Sequence, residues 1–257
     1  MSNGKIDLSG LAEFIKKSHN EYQNSVNVVK NINFVRVKLK NNDGFIVYSK
    51  NKINENIWFD KKQKKKQLNN GTKTNPTIKD LKENKEDYAL RLYYYLKIKE
   101  QEGKHITIFM LNPAFAYSGS NDTTISRIKN NILKNHDDIS SFDIINISPI
   151  RNPYPNRLNV LEQKDYYDKG SYYSAIEKII ENSDKILLAW GSGIDKLQIS
   201  EKLYQILNAN IDKITVLGIS DSNNPYHPLA RKQHDWQFTK EIKKINFSKE
   251  NIKIEIK

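Results

Sequence analysis

His105-Ile-Thr-Ile-Phe-Met-Leu-Asn-Pro-Ala114 is an apolar run that ends in an Asn-Pro turn. Three more stretches share the pattern: Asp143-Ile-Ile-Asn-Ile-Ser-Pro-Ile-Arg-Asn-Pro-Tyr-Pro-Asn-Arg157, Lys185-Ile-Leu-Leu-Ala-Trp-Gly-Ser-Gly193, and Ile214-Thr-Val-Leu-Gly-Ile-Ser-Asp-Ser-Asn-Asn-Pro-Tyr-His-Pro-Leu-Ala230. Each reads as a strand that runs into a polar loop. Aliphatic and β-branched residues with little alternation suit strands buried on both faces, as in a parallel sheet with helices on either side. Ligands of such sheets sit at the carboxyl ends of the strands. There the sequence places Asn112-Pro113, Asn146, Gly191-Ser192-Gly193 and His227-Pro228, which predicts one shared site.

Working outward, Tyr88 to Ile98 reads as a further strand, turned by Gly103 into the run that ends at Leu111. Helical spacing predicts helices over residues 123–134, 172–182 and 194–207 between the strands. That alternation argues for an α/β fold, a three-layer α/β/α sandwich with a mainly parallel central sheet, over residues 81–257. Residues 1–80 read as a small N-terminal α+β appendage. Leu8, Leu11, Phe14 and Ile15 share a helical face with Ser9 as a cap, and Phe34-Val-Arg-Val-Lys-Leu-Lys40 alternates before an Asn-Asn-Asp-Gly44 turn and Phe45-Ile-Val-Tyr48, a β-hairpin signature. The tail Asn251-Ile-Lys-Ile-Glu-Ile-Lys257 alternates cleanly and predicts an edge strand.

Composition narrows the function classes. A chain of 257 residues can bury roughly three quarters of its unfolded surface. It has no cysteine, which removes disulfides, zinc-thiolate sites and iron-sulfur clusters, and its five histidines show no metal-ligand spacing. No apolar run approaches bilayer length and the polar start does not resemble a secretory signal, so a soluble, cytoplasmic protein is expected. The net charge of +12 makes a polyanion a plausible partner, although the chain is rich in Lys, Asn and Ile, a bias that an AT-rich genome would produce in any protein. The densest basic cluster, Lys61-Lys-Gln-Lys-Lys-Lys66, reads as a solvated loop or a phosphate contact.

The order of motifs resembles the uracil-DNA glycosylase superfamily. Met110-Leu111-Asn112-Pro113-Ala114 is similar to its first motif, a strand ending in a Pro-containing loop whose Asp or Asn holds the attacking water; branches with Asn-Pro-Gly there have Gly where this chain has Ala114. Asn146 and the Pro-rich stretch to Arg157 are similar to the second motif, and His227-Pro228 to the last. The chain also resembles an uncharacterised bacterial and phage family with a Met-Leu-Asn-Pro start and a His-Pro-Leu end. The resemblance covers roughly residues 88 to 235. It implies a DNA glycosylase that breaks the N-glycosidic bond of a flipped base, with Asn112 and His227 catalytic and DNA as partner.

In that chemistry positive charge develops on the sugar and negative charge on the leaving base. Asn112 lacks charge and basicity, so its expected role is to position water, which implies a slow enzyme or a substrate with a good leaving group. His227 would donate to the base oxygen as a neutral imidazole. Phe115 or Tyr117 would stack on the flipped base and Asn146 would read its edge. Backbone amides at Ser192 would hold phosphate ahead of a helix. Arg151, Arg157, Arg231 and Lys232 are further phosphate contacts, and Leu229 stands where related enzymes insert a wedge. Small Ala114, Ser118 and Gly119, with polar Ser118, Ser120 and Asn121, would leave room for a bulky, sugar-bearing 5-substituent, which suggests glucosylated hydroxymethylcytosine of phage DNA in antiviral defence. No metal, nucleotide or redox cofactor is required.

Taken singly, each motif has a plain structural reading: Asn-Pro starts turns, Phe115 packs in cores, and Gly-Ser-Gly joins strands to helices. Two other functions remain open at this stage. A non-catalytic module would bind modified DNA and leave it intact. A nucleoside or nucleotide hydrolase would use the same pocket without a basic surround.

Overall fold

The structure is a computed structural model describing residues 5–23, 28–31, 33–40, 42–54, 58–60, 62, 78–83, 85–114, 116–118, 122–152, 155–231, 234–248 and 251–256. In chain order its elements are α1 (Leu11–Glu21), β1 (Val28–Lys30), β2 (Phe34–Lys38), β3 (Gly44–Ser49), α2 (Ile78–Glu83), β4 (Arg91–Lys97) and β5 (Lys104–Met110). Then follow α3 (Thr123–Asn135), β6 (Ile139–Asn146), α4 (Pro155–Gln163), α5 (Lys169–Ile180), β7 (Lys185–Leu188), a 3-10 turn (Gly191–Lys196), α6 (Glu201–Ala209), a second 3-10 turn (Ile211–Lys213), β8 (Ile214–Val216), β9 (Ile242–Ser248) and β10 (Asn251–Ile256).

β1 to β8 form one eight-stranded sheet in the order β1-β2-β3-β4-β6-β5-β7-β8. The fold is mixed α/β, but the sheet is not mainly parallel. β6-β5, β5-β7 and β7-β8 are parallel, whereas β1-β2, β2-β3, β3-β4 and β4-β6 are antiparallel. The reason lies in the N-terminal hairpin. Instead of standing apart, β2 and β3 extend the sheet that β4 begins, so a division at residue 80 does not coincide with a break in it. β3 is buried along its whole length and β4 along most of it, which is why these strands, like parallel ones, read as continuous apolar runs.

Alternation sends side chains to two apolar faces. Phe45, Val47, Tyr93, Phe109 and Ile145 pack on one, with residues of α1, α4, α5 and α6. Ile46, Tyr48, Tyr94, Ile108 and Ile144 pack on the other, with Ile125, Ile128 and Ile132 of α3, and with Trp236 and Phe238. Asp122, Asp168 and Ser200 cap α3, α5 and α6 by accepting backbone N–H groups with their side chains. α1 starts instead at left-handed Gly10 with no side-chain cap, so Ser9 does not fill that role. The tail does not join the main sheet: β10 pairs antiparallel with β9 in a sheet of two strands. Among the described residues no helix is long and apolar enough to cross a membrane.

Candidate functional site

The four sequence segments do become neighbouring strands, β6, β5, β7 and β8, and their carboxyl ends lie side by side. Parallel pairing sets Met110 beside Asn146. Past the strands, Ile147 N–H donates to Met110 C=O (2.8 Å), Ser148 N–H to Leu111 C=O (2.9 Å) and Asn152 N–H to Pro113 C=O (3.0 Å), so the first two loops run on together. Asn112 is half-buried, and its Nδ2 donates to the carbonyls of Asn152 (2.6 Å) and Pro113 (3.2 Å). With both N–H groups occupied by backbone, Oδ1 is the atom left to accept a hydrogen bond.

The turn at residues 191–193 links this loop to His227. Gly191 has φ +73, and a Cβ built there would lie 3.2 Å from the His227 Cβ; its N–H donates to Pro225 C=O (3.0 Å). A Cβ on Gly193 would lie 2.5 Å from Leu111 Cδ2, one residue before Asn112. Gly191 is favoured by its left-handed backbone, and a Cβ on Gly193 would push the Leu111 side chain aside. His227 Nδ1 accepts the Leu229 N–H at 3.1 Å, which assigns the ring proton to Nε2. Burial holds this imidazole below its ordinary value against an opposing pull from Asp122. His227 thus stands as a neutral donor through Nε2–H.

Asn146 is 1% exposed, and neither Nδ2 nor Oδ1 has a hydrogen-bond partner among the described residues. Leaving both ends of a buried amide unpaired costs roughly 1–3 kcal/mol each, so the group calls for a ligand or water. The Tyr172 hydroxyl fixes the backbone below by donating to the Asn146 C=O at 2.7 Å.

Other expected residues fall differently. Arg151 is not a surface phosphate contact. It is 1% exposed, and its guanidinium donates to the carbonyls of Glu86 (2.5 Å), Tyr88 (3.1 Å) and Ala116 (3.2 Å), over the Tyr48 ring. Ser118 is buried and already engaged: its N–H and Oγ both donate to the buried Glu86 carboxylate, at 2.9 and 2.5 Å. Ser192 is exposed at the start of a 3-10 turn of six residues, and α6 begins only at Glu201, so no α-helix amino terminus stands behind it. Tyr117 is half-buried and packs against the α1/α5 face of the core. Arg157 is half-buried on α4, while Leu229 (38% exposed) and Arg231 face solvent beside His227. Phe115, Gly119, Ser120, Asn121, Lys232 and most of the Lys61 to Lys66 cluster lie outside the described residues.

Sequence reading missed several supports. Asn152 is buried, receives Asn112 and donates its own Nδ2 to Trp58 C=O at 3.3 Å. Glu86 carries no motif that would mark it. Asp195 accepts from Asn224 (2.9 Å), Asn251 (3.4 Å) and Lys253 (2.5 Å), tying the 191–196 turn to the His227 loop and to β10. Among the described residues no group of His, Asp or Glu is arranged to hold a metal.

No curated protein and no solved structure matches the chain. A family model does match residues 93–229, more than half of the length and the span that holds Asn112, Asn146, the 191–193 turn and His227; the chain belongs to this family, described as a protein of unknown function, DUF1643.

Proposed function

We propose that the protein is a monofunctional DNA glycosylase that hydrolyses the N-glycosidic bond of a flipped, modified pyrimidine and leaves an abasic site. The observation that carries this reading is the set at the strand ends: a buried Asn146 amide with neither end partnered, beside a loop that orients Asn112, with a neutral His227 joined to that loop through residues 191–193. An amide with an unpaired donor and acceptor matches a pyrimidine edge. The Asn112 Oδ1 would hold the attacking water, and His227 Nε2–H would meet the oxygen on which charge develops as the base leaves. Leu229 would serve as the wedge, with Arg231 and Arg157 on phosphates. Two apolar faces, each with its own helices, support a three-layer α/β/α arrangement of the uracil-DNA glycosylase kind. Phage DNA carrying glucosylated hydroxymethylcytosine, met in the cytoplasm, is the proposed target.

Abasic-site formation tests this directly. The protein and its Asn112→Ala and His227→Ala variants are incubated with DNA bearing uracil, mismatched thymine, hydroxymethylcytosine or glucosylated hydroxymethylcytosine, then treated with alkali. Strand breaks from the parent protein, reduced at least about a hundredfold in both variants, are expected. The burial of Arg151 removes one cation from the expected DNA path and favours a second reading, hydrolysis of a free nucleoside. Cleavage of nucleosides with none on DNA would establish that reading and sink the first.

A further inference from the structure

A cleft of about 790 Å³ opens at the opposite end of the sheet, between α1 and α5 and over β4, β5 and β6. It lies roughly 20 Å from the Asn112 loop, seven residues back along β5. The register puts His105 beside Ser141 and Thr107 beside Asp143, so alternation turns His105, Ser141 and Asp143 to the same face. There His105 Nδ1 lies 2.9 Å from Ser141 Oγ, and His105 Nε2 lies 3.2 Å from Asp143 Oδ2. Asp143 is 1% exposed, and its Oδ1 has no hydrogen-bond partner among the described residues. The carboxylate fixes the ring proton on Nε2, which aims the Nδ1 lone pair at the serine. A buried polar network that only stabilised the sheet would have every group paired; this one leaves Asp143 Oδ1 unpaired, and its three side chains line the cleft.

We propose that Ser141, His105 and Asp143 form a second, hydrolytic site for small carboxylic esters, with Ser141 as nucleophile, His105 as general base and Asp143 as the group that orients it. As Ser141 Oγ bonds to the ester carbonyl carbon, its proton passes to His105 Nδ1. Tyr95, which lines the same cleft, supplies the hydroxyl that donates to the oxyanion; burial raises its pKa and keeps it protonated. The C–O bond then breaks, and the departing alcohol takes the proton from His105. Water, deprotonated by the same imidazole, attacks the acyl-serine, releasing the acid and restoring Ser141. Burial alone would weaken His105 as a base, but the Asp143 charge and hydrogen bond, with Asp184, outweigh it and leave the pKa raised.

Fluorophosphonate labelling followed by peptide mass mapping, alongside p-nitrophenyl acetate turnover, tests the site in the full chain. The adduct is expected on Ser141, and turnover is expected to fall on the order of a hundredfold or more in Ser141→Ala and His105→Gln. Ser141→Ala removes a single oxygen, and circular dichroism checks that each variant remains folded. A folded parent protein that is not labelled at Ser141, or whose turnover survives Ser141→Ala, overturns the proposal. Acetylation of surface lysines would release one p-nitrophenol per lysine, alike in both variants, and release of that kind alone counts against the proposal.

Discussion

His19 shows how one residue can set a pH limit. It sits on α1 with its ring against Phe45, Tyr93 and Tyr95, and Nε2 pairs with the Tyr93 hydroxyl at 2.8 Å. Burial pulls its pKa from 6.5 down to about 4, opposed by Asp143 and aided by His105. The unfolded chain therefore binds a proton below pH 6.5 that the folded chain refuses until about pH 4. Stability falls as pH drops through that window, by about 2 kcal/mol between pH 7.5 and 5. His105 has the opposite sign: its raised pKa contributes stability below 6.5 that is lost as pH rises through the folded value. Comparing the protein with His19→Gln, which keeps a partner for Tyr93, isolates the first effect. Urea unfolding at the two pH values is expected to show the difference shrinking by about 2 kcal/mol in the variant; an unchanged difference would show that His19 is protonated in the fold.

At the scale of elements, the β9–β10 hairpin acts on loops that lie far from it in sequence. Lys253 and Asn251 meet Asp195, Asp195 meets Asn224, and Ile254 N–H donates to Asn223 C=O at 3.0 Å. Asn223 has φ 58 and Asn224 is fully buried, so this turn has little freedom to settle elsewhere, and it leads within three residues to His227. Asp195→Ala removes the common acceptor. It is expected to shift the His227 ring resonances in NMR spectra and to lower the proposed base excision by roughly tenfold, at a stability loss of about 1–2 kcal/mol. Unmoved His227 resonances would mean that the hairpin only packs against the loop. The sequence does not disclose this contact. Clean alternation in Asn251 to Lys257 identifies a strand, but alternation says nothing about which edge it pairs with. The four strand-end segments are legible because each is a mostly aliphatic and β-branched run closed by Pro or Gly. The roles of Arg151 and Ser118 are not, because a basic or hydroxyl residue in a loop looks the same whether it meets DNA or a buried carbonyl.

For the whole molecule, the N-terminal third is the test of how the protein is assembled. Phe34-Val-Arg-Val alternates apolar and basic residues, yet Arg36 is 2% exposed and donates to Ser18 C=O in the last turn of α1, where a cation is favoured. A hidden cation of this kind makes an integral strand look like an appendage. In the structure Leu8, Leu11, Ile15, Phe34, Phe45, Val47 and Trp58 are all buried in the same core as α5 and β7. At roughly 1.5–3 kcal/mol for each buried side chain, their loss would rival the whole net stability of a typical domain, about 5–15 kcal/mol. Removing residues 1–80 would also open the β4 edge beside Tyr93 and Tyr95 and take away the Trp58 carbonyl that holds Asn152, and through it Asn112. A chain starting at residue 81 is therefore expected to lack a cooperative thermal transition and near-ultraviolet dichroism, and to bind a hydrophobic dye. A cooperative melt close to that of the full protein would instead make the first 80 residues a separable unit, and would place everything needed to fold the Asn112–His227 site in the remainder.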